Sequence, residues 1–188
     1  KKGLNVMIIS IGALGDRQFL QQARDAAGLS GCKIYLPSGA IGGLDALRSA
    51  SLGGLKSVEL ITRKPLAALK GAPYVVAKGI DLDHVTTDYE IFRGNALEAA
   101  EAFPTNLNVA VAVGLAGIGP ERTQVRMIAS PQIQNNVHEI KAIGTCGRFH
   151  LKFENLPSPE NPRTSRLATL SIISALRELS EPIKGVYR

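Results

Sequence analysis

The sequence predicts an α/β chain in two parts. A partial, parallel βαβ unit of the doubly wound kind comes first, an α+β part with a mostly antiparallel sheet follows, and a C-terminal helix returns to the first unit. Three observations predict this. Two apolar, β-rich runs, Asn5 to Ser10 and Lys33 to Leu36, flank a helical period over Gln18 to Ala27, the order of a βαβ crossover. Later come Gln124 to Ser130, Asn136 to Ile143 and Arg148 to Glu154. The last two are joined through Gly144 to Gly147 as a hairpin, and the pairing of the three is expected to be antiparallel. The final stretch repeats Leu167, Leu170, Ile173 and Leu176 at helical spacing, with Arg163, Arg166 and Arg177 largely elsewhere. This is an amphipathic helix with Pro162 at its first position and Asn161 as its cap.

Near-continuous hydrophobicity in NVMIIS marks a strand buried on both faces of a parallel sheet. Almost nothing precedes it and Lys1 is not an initiating Met, so the first half of the doubly wound domain is expected to have been cut off or to lie elsewhere. The second strand breaks at Pro37 into Ser-Gly-Ala-Ile-Gly-Gly, and a helix capped by Asp45 starts there. Gly39, Gly42 and Gly43 permit positive φ and let a ligand approach backbone N–H groups. The same spacing suits a plain tight turn, and it is not GxGxxG. Beyond Gly53-Gly54, a strand over Ser57 to Thr62 places Val58, Leu60, Thr62 and Lys64 on one face. Lys64 then either ends a buried face or snorkels outward before Pro65. Residues 65–88, rich in Pro, Gly and polar side chains, are expected to form an irregular loop, either a lid or a passive excursion, with His84 solvated.

The segment NALEAAEAF is helical up to Pro104. TNLNVAVAVGLAGIG fits a strand by its alternation, and a tightly packed helix with Thr105 and Asn106 as caps by its small residues. In the helical form Asn108 lies in the first turn, where its amide either recognises a carboxamide or helps to cap. His138 shares the apolar face of its strand with Ile140 and Ala142, whereas His150 falls on the solvated side with Arg148, Lys152 and Glu154. An inward histidine at a strand start is either a satisfied core residue or a base with a pKa of about 6.5. Thr164 and Ser165, near the free N–H groups of the last helix, either cap it or seat a carboxylate.

With 45% hydrophobic and 20% charged residues, the 188-residue chain can build a core, and no apolar run approaches the roughly 20 residues of a membrane span. No membrane partner is expected. The net charge of +6 is scattered, without the basic stripe interleaved with aromatics that nucleic acid needs. A diffuse positive field draws small polyanions instead, such as dicarboxylates or a dinucleotide. Cys32 and Cys146 lack metal-ligand spacing and are expected to be reduced, buried thiols of a cytoplasmic protein, with no metal site.

SIGALGD, IYLPSGAIGGLDAL, SLGGLKSVELITRKP, FPTNLNVAVAVGLAGIG, NNVHEI and ENPRTS, in that order, resemble the L-aspartate dehydrogenase family across essentially the whole chain. The resemblance implies a two-domain homodimer. Residues 1–36 and 162–188 would be the remnant of an NAD(P)-binding Rossmann-type domain, and residues 37–161 an α+β catalytic and dimerisation domain. It also implies NAD- or NADP-dependent oxidation of L-aspartate to iminoaspartate, which hydrolyses to oxaloacetate and ammonia or feeds NAD biosynthesis. By matching motif, the family's active-site histidine falls on His138, its cofactor-contacting alanine on Ala40 and the asparagine of N-x-N-V-A on Asn108. Ser38, Lys64, Thr164 and Ser165 are candidates for the substrate carboxylates by charge, hydroxyl placement and motif membership. The family's strand, GxGxxG turn and helix for the pyrophosphate have no counterpart in this sequence. Two alternatives stand beside this reading: a non-catalytic dimerisation module, and a related two-domain dehydrogenase acting on another amino or keto acid.

Overall fold

Strand β1 (Val6–Met7) pairs in parallel with β2 (Ile34–Tyr35) across helix α1 (Arg17–Ser30), in a computed structural model that describes residues 3–104, 107–161 and 164–183. Asp16 caps α1 by accepting from the Phe19 N–H at 2.9 Å, and Gly31 ends it at φ +66. This is the βαβ unit, on shorter strands than the apolar runs suggest. Burial on both faces is not found: Val6 is 48% exposed, Ile9 is 56% exposed, and α1 buries none of its residues. Among the described residues these strands form a sheet of two, so no further layers enclose NVMIIS.

The second sheet runs β4-β5-β3-β6-β7, comprising β3 (Leu55–Pro65), β4 (Tyr89–Asn95), β5 (Gln124–Ser130), β6 (Asn136–Gly144) and β7 (Gly147–Asn155). It is mostly antiparallel, with the hairpin at Gly144 to Gly147. The exception is β5, which lies parallel to β3 and does not neighbour β6 as hairpin logic suggests. Parallel neighbours need a long crossover, and the helices between β3 and β5 supply it. β4 escapes a reading by alternation because Glu90 and Arg93 interrupt its apolar residues and the register shifts between Glu90 and Phe92.

Helices α2 (Leu44–Gly53), α5 (Ala96–Ala102) and α6 (Leu107–Ala116) share the main core with the sheet. The segment open to two readings is therefore helical. Ala110, Val111, Ala112, Val113 and Ala116 are all buried, so α6 lacks the one-sided pattern that marks a surface helix. Thr105 and Asn106, its expected caps, lie outside the described residues. Asp45 does not cap α2; it sits in the first turn and Gly43 is the cap, at φ +72, where a Cβ would collide with Leu151. Gly42 has no positive φ; it leaves room for the Phe153 ring, which a Cβ would meet at 3.2 Å.

Residues 65–88 are not an irregular loop. They hold α3 (Leu66–Leu69) and α4 (Pro73–Ala77), bury Leu69, Val75 and Leu82, and set Tyr74 against Phe92 and Phe103 with ring centroids 5.6 and 5.1 Å away. Helices this short show no period in the sequence. His84 is exposed, as expected.

Helix α7 (Arg166–Ser180) starts later than Pro162, which lies outside the described residues; its cap is Ser165, accepting from the Leu167 N–H at 3.2 Å, not Asn161. It returns to the loop after β2, where the Ser171 hydroxyl oxygen accepts from the Gly39 N–H at 3.0 Å. Cys32 is half-buried, and Cys146 is exposed because it occupies the β6–β7 turn.

Candidate active site

The carboxyl ends of β3, β5 and β7 and the amino end of β6 lie at one end of the sheet. There Thr62 sits directly opposite His138, and Phe153 opposite His138 on its other side. His138 is 5% exposed, and its Nδ1 stands 3.0 Å from the Thr62 hydroxyl. Lys64, two residues along on the same face, is 9% exposed. Among the described residues, neither Lys64 Nζ nor His138 Nε2 has a protein partner. No fully buried side-chain nitrogen or oxygen among those residues lacks one, so both atoms open onto accessible space.

Burial, and then the nearby Lys64 charge, pull the His138 imidazole down from 6.5 to about 4. Burial also lowers the Lys64 ammonium from its ordinary value. At neutral pH the ring is therefore uncharged, beside a cation with no carboxylate. That electrostatic arrangement favours an incoming anion, since a buried charge is costly until paired.

One consequence concerns stability. The unfolded ring takes a proton near pH 6.5 and the folded ring only near 4, so folding stability falls as pH drops through that window. Urea unfolding at pH 7 and pH 4 is expected to show roughly 3 kcal/mol less of this loss in His138→Gln than in the parent chain.

The loop after β2 reaches the same end of the sheet. Asn155, 7% exposed, donates from Nδ2 to the Ala40 carbonyl at 2.8 Å. It shares its face of β7 with Phe153, the cross-strand partner of His138. Ala40 is thus held by its backbone between α7, through Gly39, and the strand next to His138. Asn155→Leu leaves that carbonyl unpaired and is expected to cost about 1–3 kcal/mol, read by thermal unfolding.

Asn108 accepts the Gly12 N–H on Oδ1 at 2.8 Å, which ties the short 3-10 turn Ile11–Gly15 of the first unit to α6. A backbone donor can face only the amide oxygen, so the orientation is fixed, and Nδ2 is the end of an exposed side chain without a partner among the described residues. Asn108 and Ala40 are thus each held by a hydrogen bond to a distant part of the chain.

The remaining candidates are placed less directly. Ser38 is half-buried, without a side-chain hydrogen bond among the described residues. Ser165 is committed to capping α7, and Thr164 engages Asn161 and Ser158 through its backbone at 2.9 and 2.7 Å. His150 lies on the opposite face, 2.7 Å from Glu139, which also pairs with Arg63. Sequence reasoning gave no role to Thr62, Asn155 or Ser171. For Thr62 the missing signal is the register of two strands that set it opposite His138, 76 residues away; Asn155 and Ser171 act on a loop over 100 residues away and leave no local pattern.

Comparison with known proteins points to one family. The family model described as aspartate dehydrogenase, C-terminal, matches residues 45–179. The L-aspartate dehydrogenase of Methanosarcina mazei is 50% identical over 98% of this chain and 68% of its own length, and that of Bradyrhizobium diazoefficiens 44% identical over 95% and 62%. The crystal structure of aspartate dehydrogenase from Thermotoga maritima superposes with a TM-score of 0.77 at 31% identity, covering 96% of this chain and 68% of that one. Among the described residues no helix is long and apolar enough to cross a membrane. Motif order and these matches agree: the chain belongs to the aspartate dehydrogenase family.

Proposed function

We propose that the chain carries the catalytic part of an L-aspartate dehydrogenase that uses NAD or NADP to oxidise L-aspartate to iminoaspartate, with oxaloacetate and ammonia as hydrolysis products. The observation that carries this reading is Lys64, a buried cation without a carboxylate partner among the described residues, on the face of the neutral His138. The dinucleotide, when bound, supplies the hydride acceptor at nicotinamide C4. In this reading Lys64 holds a substrate carboxylate, with Ser38, Thr164 and Ser165 as further candidates. His138 Nε2 takes a proton from the substrate ammonium or from the water that attacks the imine. Asn108 and Ala40 hold the carboxamide end, which sets donor and acceptor in place for the transfer.

The division into residues 1–36 with 162–188 and residues 37–161 belongs to the same proposal; it is supported by the separation of the β1–β2 pair from the five-stranded sheet. So do a homodimer, a cytoplasmic location and a place in NAD biosynthesis. A panel of L-aspartate, L-glutamate, L-alanine and their keto acids tests the substrate. Preference for the four-carbon dicarboxylates supports the reading, and preference for another acid replaces it with a related dehydrogenase. The second reading is a non-catalytic dimerisation module. No turnover by the folded chain would select it.

A further inference from the structure

We propose that Thr62 is a positioning residue of this site: its hydroxyl anchors His138 through Nδ1 and so makes Nε2 the ring atom that meets substrate. The inference rests on the proposed role of His138 and deepens it. Thr62 is 3% exposed and directly opposite His138 in the β3–β6 ladder, a register that brings the two side chains together on one face. The 3.0 Å contact is the only hydrogen bond of the Thr62 hydroxyl and of the His138 ring among the described residues. An unanchored imidazole has two ring flips and two tautomers; one fixed nitrogen removes the wrong flip.

Threonine anchors the ring without adding the negative charge that a carboxylate would bring. Its oxygen can donate to a bare Nδ1 or accept from a protonated one, so the anchor persists when the ring gains or loses a proton. In the proton-accepting form Nδ1–H donates to Oγ1 and the Nε2 lone pair faces outward. When Nε2 takes a proton from the substrate ammonium, the N–H bond of the substrate breaks and a new Nε2–H bond forms. The resulting imidazolium keeps its Nδ1–H on Thr62, and the substrate stays bound as the neutral amine.

The test compares Thr62→Val, Thr62→Ser and His138→Ala with the parent chain, by steady-state kinetics and by ¹⁵N NMR of the histidine ring. Valine keeps the shape and removes the hydroxyl. It is expected to lower kcat about tenfold to a hundredfold with KM for L-aspartate changed less than about threefold, and serine is expected to restore most of kcat, because misorientation costs rate and leaves binding alone. In the spectra, the Nδ1 resonance of His138 should move in Thr62→Val and return in Thr62→Ser. Full kcat in Thr62→Val, no rescue by serine, or an unmoved Nδ1 resonance would each overturn the role of Thr62. Full activity in His138→Ala would instead overturn the underlying reading. In a preparation without turnover, the Nδ1 resonance alone decides.

Discussion

His138→Ala is expected to lower kcat by about 10²- to 10⁴-fold, whereas His150→Ala stays within about threefold of the parent, because only the first removes a proton acceptor from the site. The two histidines are close in sequence and on adjacent strands, but they face opposite sides of the sheet. His138 is buried, with Nε2 open and Nδ1 on Thr62; His150 pairs with Glu139 on the outer face. The low pKa also sets the pH response. A base with an ordinary pKa would lose activity below about 6.5. His138, held near 4 by burial and by Lys64, keeps its lone pair well below that, so its acid limb in kcat/KM belongs near pH 4. Equal losses in the two alanine variants would contradict the assignment.

Lys64→Met is expected to raise KM for L-aspartate by at least about thirtyfold, since removing the partner of a desolvated carboxylate costs roughly 2–5 kcal/mol. The same substitution should leave the ligand-free chain no less stable. Methionine fills a similar volume and removes a buried cation that has no carboxylate beside it among the described residues. It should also raise the His138 pKa toward its ordinary value, because the Lys64 charge is one of the two causes holding it down. Kinetics, urea unfolding and the histidine titration thus read one substitution in three independent ways. An unchanged KM with lowered stability would make Lys64 a structural residue only.

Much of this was legible in the sequence, for physical reasons that differ by element. The faces of β3 and β6 follow from period two, which places Lys64 with Thr62 and turns His138 inward without any knowledge of the fold. The βαβ order and the β6–β7 hairpin follow from local patterns as well. What could not be read depends on contacts between distant parts. Strand order is one case, since β5 joins β3 in parallel only because helices bridge them. The content of residues 65–88 is another, where Leu69 and Val75 are buried by short helices that leave no period. The anchors of Ala40 are a third: Asn155 and Ser171 come from the end of β7 and the middle of α7. At β1 the apolar run is largely exposed, in a sheet of two strands among the described residues.

The most direct test of the central claim is reductive amination: oxidation of NADH or NADPH by the 188-residue chain with oxaloacetate and ammonia, beside the His138→Ala variant. Oxidation that requires both oxaloacetate and ammonia, and that is lost in the variant, is the result expected here. Oxidation that needs no ammonia, or that continues undiminished without the His138 imidazole, would contradict the account.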